Sequence, residues 1–151
     1  MTGESRCSFL VPGELGTRTG GYGYDRQIIE GLRARHWVVE VQSLGEGYPV
    51  PDAASLAHAG RVAEGLPDGA LVVVDGLAFA VLPELVRQHA QRLDWIALVH
   101  HPLALETGLD AARRQALFDS ERRALAQARG ERAGHDHAAV SYTHLTLPTK
   151  A

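Results

Sequence analysis

Short apolar segments typical of β-strands alternate four times along this chain with segments of helical periodicity. The strand-type segments fall near residues 7–11, 37–42, 70–75 and 95–100, and the stretch ALVVVD is apolar without interruption up to its final residue. Such a run is typical of a strand that is covered on both faces, as the strands of a parallel sheet are. Strand–helix–strand units close with right-handed crossovers, so we predict an α/β fold: a mostly parallel sheet with helices on both faces.

The segments between and after these strands space their apolar residues as helices do. We predict helices from Tyr24 to about residue 35, from about 54 to 64, from Pro83 to about 91, and from Asp110 to about 129. Proline suits the first turn of a helix, which supports the start at Pro83. The chain has 151 residues, the length of one domain.

Composition excludes several classes of protein. The chain is 45% hydrophobic and has a formal net charge of −3, unlike a disordered segment or a nucleic-acid-binding protein. No apolar run reaches the length of a membrane span, about 20 residues, and the N-terminus lacks a signal-peptide pattern. The single cysteine, Cys7, excludes an intramolecular disulfide. We therefore predict a soluble cytoplasmic protein with no transmembrane segment and no nucleic-acid partner.

A glycine-rich segment, GELGTRTGGYGYDR, joins the first strand to the first helix. It is neither a G-x-G-x-x-G fingerprint, because Arg26 replaces the last glycine, nor a P-loop, because Tyr22 stands where lysine is needed. Glycines at such a junction still let backbone N–H groups approach an anion near the positive end of a helix. The candidate phosphate-binding residues are Gly20, Gly21, Tyr22 and Gly23. The alternative is that the glycines only permit a turn.

Two adjacent histidines, His100 and His101, follow the fourth strand, and ligands of parallel sheets bind at the carboxyl ends of strands. Successive side chains of a strand point to opposite sides, so we expect one of the two to face the cleft. A histidine there can share a proton or bind a sugar hydroxyl near neutral pH. The alternative is a strand-end histidine that hydrogen-bonds a nearby loop.

Two acidic residues are further candidates for the cleft. Asp75 ends the third strand, and Glu106 follows the histidines. Asp75 has a simpler alternative role as the cap of a turn that begins at Gly76. His135 and His137 are a weak pair without carboxylate or cysteine companions, so we predict no metal site.

The strand end VPG, the helix start TGGYGYDR, and the stretches VVVDG, ALVHHPLALETGL and ERRALAQAR occur in this order. With them, residues 8–129 resemble the N-terminal half of a retaining family 4 glycosyltransferase of GT-B fold. The resemblance implies a Rossmann-like, acceptor-side domain over residues 1–129. It also implies a second, C-terminal domain, absent from this sequence, which holds the nucleotide of a nucleotide-sugar donor.

The resemblance assigns roles to the candidate residues. Gly20 and Gly21 would approach the donor diphosphate, and His100 or His101 would stand near the transferred sugar, whose acceptor is unknown. No further cofactor is implied. Two other functions remain open: a nucleotide-binding oxidoreductase, for which Glu40 near the second strand could serve as the ribose-binding acid, and a non-catalytic binding module.

The last part of the sequence differs from the rest. Residues 130–139 are charged and turn-like where the family has a strand, and a one-base shift of GC-rich codons can restore a strand-like sequence. Residues 140–149 resemble the translation of a sequencing-library adapter. We therefore predict that residues 130–151 are not native. We also expect the chain alone to transfer no sugar, and to leave a sheet edge and Leu117, Phe118 and Leu125 of the last helix uncovered, so that it associates with itself.

Overall fold

The computed structural model describes residues 4–13, 20–99 and 108–127. Strands and helices alternate through these residues. The elements in chain order are β1 (Arg6–Val11), α1 (Gly20–Ala34), β2 (Val38–Ser43), α2 (Ala53–Glu64), β3 (Leu71–Asp75), α3 (Gly76–Phe79), α4 (Pro83–Gln88), β4 (Asp94–Leu98) and α5 (Ala111–Leu125).

The four strands form one parallel sheet in the order β2-β1-β3-β4. In register, Phe9 of β1 faces Val41 of β2 on one side and Val73 of β3 on the other. All four predicted strands are present, with bounds that differ from the prediction by one or two residues. The predicted α/β class, a Rossmann-like parallel sheet flanked by helices, is confirmed.

The two faces of the sheet carry separate hydrophobic cores. On one face, Phe9, Val39 and Val73 pack with Ile29 of α1. On the other, β3 and β4 contribute Val72, Val74, Trp95 and Ala97, which pack with residues of α2, α3, α4 and α5. The alternation of Val72, Val73 and Val74 between the two cores is why β3 reads as an unbroken apolar run.

Backbone hydrogen bonds hold the amino edge of the sheet, where the strands begin. The Val38 N–H donates to the Ser5 carbonyl at 2.8 Å, the Gly69 N–H to that of Arg92 at 2.5 Å, and the Asp94 N–H to that of Ala70 at 2.9 Å. The segment before β1 is thus bonded to the first residue of β2, and the segment before β3 is bonded to the start of β4.

The helices differ from the sequence prediction in four places, one of which is the end of the last helix at Leu125 instead of near residue 129. The first helix begins at Gly20, four residues before the predicted Tyr24, because the packing of its later turns outweighs the poor helix propensity of glycine. The helix that begins at Pro83 ends at Gln88, not near residue 91. The four-residue helix α3 was not predicted, since its sequence GLAF follows an aspartate and reads as a turn.

The expectation of an uncovered apolar face on α5 is largely wrong. Leu117 is buried in a small cluster with Ala80, and Leu125 packs against the core beneath α4. The Ser120 hydroxyl donates to the Ala80 carbonyl at 2.5 Å, which holds α5 onto the turn after α3. Phe118, in contrast, is 48% exposed, as expected. In the part of the chain that the structure describes, no helix has both the length and the apolar character needed to cross a membrane.

Candidate functional site at the carboxyl edge of the sheet

The carboxyl ends of β1 and β2 remain joined beyond the strands themselves. The Leu44 N–H donates to the Val11 carbonyl at 2.8 Å, and the Gly13 N–H donates to the Gly45 carbonyl at 2.7 Å. Gly13 has φ +66° and Gly45 has φ +99°, conformations that residues with a Cβ rarely adopt. The chain therefore leaves β1 through a fixed glycine turn on its way to α1.

The predicted glycine residues lie at the start of α1. Gly20, Gly21, Tyr22 and Gly23 occupy its first residues, so they belong to a helix and not to the loop that the sequence predicted. The first four N–H groups of any α-helix have no carbonyl partner four residues back within that helix. The first turn also holds no acidic residue. This end of α1 can therefore offer N–H donors and positive potential to an anion.

Asp25 is a buried carboxylate that the sequence analysis missed. It lies in the second turn of α1, is 0% exposed, and shares the buried side of the helix with Ile29, four residues later. An aspartate is seldom buried unless a specific interaction holds it. Its spacing from Ile29 was the available signal, because a charged residue at i−4 from a core residue lies on the apolar face of the helix.

Asp75 occupies the end of β3, where the sequence placed a cleft residue, but its side chain is 2% exposed. Its Oδ1 accepts a hydrogen bond of 2.8 Å from the Leu77 N–H, which makes it the N-cap of α3. This is the simpler alternative for Asp75, a cap for the turn that Gly76 begins.

Gly76 is a second residue of structural importance that no motif indicated. A Cβ built on Gly76 would lie 2.7 Å from the carbonyl oxygen of Leu98 and 2.9 Å from the Cα of Val99. The start of α3 therefore touches the end of β4 backbone to backbone. Glycine is the only residue that fits this contact without a shift of the chain.

Three of the predicted site residues lie outside the described residues. They are His100, His101 and Glu106. The structure follows the chain to Val99, which is 2% exposed and follows the last residue of β4 directly. The tail of residues 130–151, with His135 and His137, also lies outside the described ranges. Their predicted roles stay predictions.

Two polar side chains beside the end of β2 hold the backbone in place. The Tyr48 hydroxyl donates to the Leu44 carbonyl at 3.0 Å, and burial raises the pKa of Tyr48 to about 12. Nε2 of His58, on α2, lies 3.0 Å from the Ser43 carbonyl, so it carries the proton that it donates there. Both groups are hydrogen-bond donors that fix the turn after β2.

Glu40 lies at the wrong end of β2 for a ribose-binding acid. It is the third residue of the strand, and its carboxylate is 3.5 Å from the guanidinium of Arg6, at the amino edge. Both residues line a groove of about 430 Å³ at that edge, together with residues 67–71. Because dinucleotides bind at the carboxyl ends of strands, this position argues against the oxidoreductase alternative.

Two further observations concern metals and surface grooves. Within residues 4–13, 20–99 and 108–127, no group of three or more histidine, cysteine or acidic side chains could hold a metal ion. A groove of about 460 Å³ lies between α2, α4 and α5. Leu56 and Leu82 are among its apolar lining residues, and Glu84 and Arg123 are among its polar ones. Those two charged side chains pair with each other at 3.1 Å.

Comparisons with known proteins returned no match: no family model, no curated protein and no solved structure is similar to this chain at a significant level.

Proposed function

We propose that this chain is the acceptor-side domain of a glycosyltransferase that moves a sugar from a nucleotide-sugar donor to an acceptor. The observation that supports the proposal best is the start of α1, where a glycine pair begins the helix that follows β1 of a parallel sheet. In a parallel sheet this edge is where ligands bind. The resemblance to family 4 glycosyltransferases includes these residues among its five stretches and suggests the identity of the ligand.

The proposed task of the glycine turn is to bind the diphosphate of the donor. During transfer the bond between the anomeric carbon and the phosphate oxygen breaks, and the anomeric carbon forms a bond to a nucleophilic atom of the acceptor, which gives up its proton. The nucleoside diphosphate leaves with the electron pair of the broken bond and the additional negative charge. N–H groups at the start of α1 would stabilise that charge as it develops, which lowers the barrier to transfer. One hydrogen bond to a charged oxygen is worth about 1.5–3 kcal/mol.

Glycine is needed in this turn because a Cβ would occupy space that the phosphate oxygens require. By the resemblance, His100 or His101 stands near the transferred sugar. Asp75 is not proposed to contact the acceptor, because its carboxylate is buried and caps α3. The nucleotide itself is assigned to a second Rossmann-like domain, which the family carries after the segment that ends near residue 129.

The test uses the longest reading frame of the gene, read downstream in all three frames. A second Rossmann-like half with a pair of glutamates is expected. Transfer from a panel of nucleotide-sugars is then measured for the wild type, for Gly21→Val, and for Gly31→Val as the matched control. Gly31 lies in the same helix, and a Cβ there meets nothing closer than the Arg35 guanidinium at 3.9 Å.

We expect Gly21→Val to lower kcat/KM at least about 100-fold, the loss typical when the developing charge can no longer reach one of its donors. Gly31→Val should retain activity, and the two variants should melt at similar temperatures. Equal activity of the two variants would show that the glycines serve only the turn. A downstream sequence with no second domain, together with no turnover of any donor, would overturn the proposal as a whole.

A further inference from the structure

We infer that Arg33 and His58 close the outer side of β2 against another strand, and that the strand they exclude is β2 of a second copy of this chain. The outer side is the one that faces away from β1. An uncovered sheet edge was expected from the sequence, and at β2 two side chains occupy part of it. The inference does not depend on the proposed function, because it concerns the side of a strand and not its ligand-binding end.

Strand β2 is the last strand on its side of the sheet, whose order is β2-β1-β3-β4. Within residues 4–13, 20–99 and 108–127, no strand pairs with its outer side. Such a strand presents N–H and C=O groups that an extended segment of another molecule can bind. Proteins therefore cover or block these groups, and the way in which this chain does so can be followed bond by bond.

The hydrogen bonds to the neighbouring strand identify which residues of β2 face outward. The N–H groups of Val38 and Leu44 donate to the Ser5 and Val11 carbonyls, both at 2.8 Å, so the even-numbered residues face β1. Successive residues of a strand direct their backbone groups to opposite sides. The odd-numbered residues therefore direct theirs to the outer side. These outward residues are Val39, Val41 and Ser43.

Side-chain donors occupy two of the three outward carbonyls. Arg33, in the last turn of α1, donates from Nη2 to the Val39 carbonyl at 2.6 Å. His58, on α2, donates from Nε2 to the Ser43 carbonyl at 3.0 Å. Helix α1 packs on one face of the sheet and α2 on the other, so one donor reaches the strand from each face. The Val41 carbonyl lies between them.

A second copy of β2 is the partner that fits this strand. In an antiparallel pair centred at Val41, Val39 of each copy lies opposite Ser43 of the other, so all three outward residues of both copies form bonds. Glu40 then lies opposite Gln42, and no like charges face each other. The contact would be symmetric, with the same surface on both copies.

Arg33 and His58 oppose this pairing because they fill the space that the second strand has to enter. Each occupied carbonyl can accept an N–H from the other copy only after its own donor has left. At the weak end of its usual strength, a hydrogen bond from a charged donor changes an equilibrium constant by about 10-fold. We therefore expect removal of both donors to lower the Kd of self-association at least about 10-fold.

The first experiment measures self-association of the whole chain by analytical ultracentrifugation. The test variant is Arg33→Met with His58→Leu, which removes both donors and keeps apolar side chains in their place. The matched control is Arg35→Met with His58→Gln. Arg35 is exposed and donates at 3.4 Å to the Gly31 carbonyl of its own helix, and glutamine retains an N–H donor at position 58.

The second experiment locates the contact, because the exposed Phe118 could also mediate association. Amide hydrogen exchange is followed by NMR at low and at high protein concentration. In the test variant we expect the N–H groups of Val39, Val41 and Ser43 to become protected as the concentration rises. In the wild type and the control they should exchange rapidly at both concentrations.

A lower Kd together with this protection supports the inference. Equal Kd values for the test variant and the control overturn it, and so does association that leaves the three amides unprotected. Protection of these amides in the wild type at low concentration also overturns it, because the outer side of β2 is then already covered. If the test variant does not fold, Arg33→Met alone decides by the same criteria, since Arg33 is exposed and belongs to neither core.

Discussion

Arg92 offers the sharpest test of what holds this sheet together. Its guanidinium donates from Nη1 to the Leu66 carbonyl and from Nη2 to the Ala63 carbonyl, both at 2.7 Å. Nε donates to Nδ1 of His89 at 3.1 Å, and Nη1 also meets the Asp68 carboxylate at 2.9 Å. One side chain thus joins the end of α2 to the start of β4. Replacing it by methionine keeps the apolar stem and removes these bonds.

The expected loss follows from the individual contacts. A hydrogen bond from a charged donor is worth about 1.5–3 kcal/mol, and the low end applies because the Arg92 side chain is 27% exposed. The two carbonyl bonds then contribute about 3 kcal/mol. The pair with Asp68, whose side chain is 84% exposed, adds about 0–1 kcal/mol. We expect Arg92→Met to lower the free energy of unfolding by about 2–4 kcal/mol, which corresponds to about 6–12 °C in Tm.

The assay is urea unfolding, followed by far-UV circular dichroism and by tryptophan fluorescence, since Trp95 is buried close to Arg92 in the chain. Arg87→Met is the control, because the Arg87 side chain is 61% exposed and its pair with Glu84 lies on the surface. The control should lose less than about 0.5 kcal/mol. If the two variants differ by less than that amount, the carbonyl contacts of Arg92 do not stabilise the fold as argued.

Two more predictions concern stability. Burial first, and then the Arg92 charge, lower the pKa of His89, while Glu64 raises it. The folded state thus binds this proton less readily than the unfolded chain, so stability present above about pH 6.5 is lost as pH falls from there through the lowered pKa. Between pH 7.5 and pH 5.5 the urea midpoint of unfolding should fall more for the wild type than for His89→Gln. Equal falls in the two proteins would contradict this. Asp52 caps α2 by accepting from the Ser55 N–H at 2.9 Å, so Asp52→Ala should cost about 1 kcal/mol in thermal melts. Glu30→Ala, at an exposed position of α1, should cost less, and equal losses would refute the capping argument.

The strands were predictable because their signal is local. Val72, Val73 and Val74 are consecutive apolar residues, and only a strand that is buried on both faces uses such a run well. The start of α1 was not predictable in the same way. Glycine is a poor helix former, so propensity placed the start at Tyr24, whereas the packing of Ile29 on the sheet extends the helix back to Gly20.

The sequence predicted that Asp75 ends a strand at the carboxyl edge, but it did not decide the role of Asp75 there. A parallel sheet brings its strand ends to one edge, which is why the sequence indicated Asp75 and the start of α1 together. The need for glycine at position 76 had no local signal. It depends on the distance to Leu98, a residue of another strand, and no motif or periodicity records a contact between two elements. The sequence left Asp75 two roles, a cleft residue or the cap of a turn, and only the hydrogen bond that it accepts from the Leu77 N–H identifies it as the cap.

The hydrogen bonds at the amino edge, from Gly69 to Arg92 and from Asp94 to Ala70, lie at the opposite end of the strands from the glycine turn formed by Gly13 and Gly45. Under the proposed function a ligand binds at the carboxyl edge, so substitutions that change the ligand would leave these amino-edge hydrogen bonds intact. For the same reason the amino edge is the place to add stabilising substitutions before the carboxyl edge is redesigned.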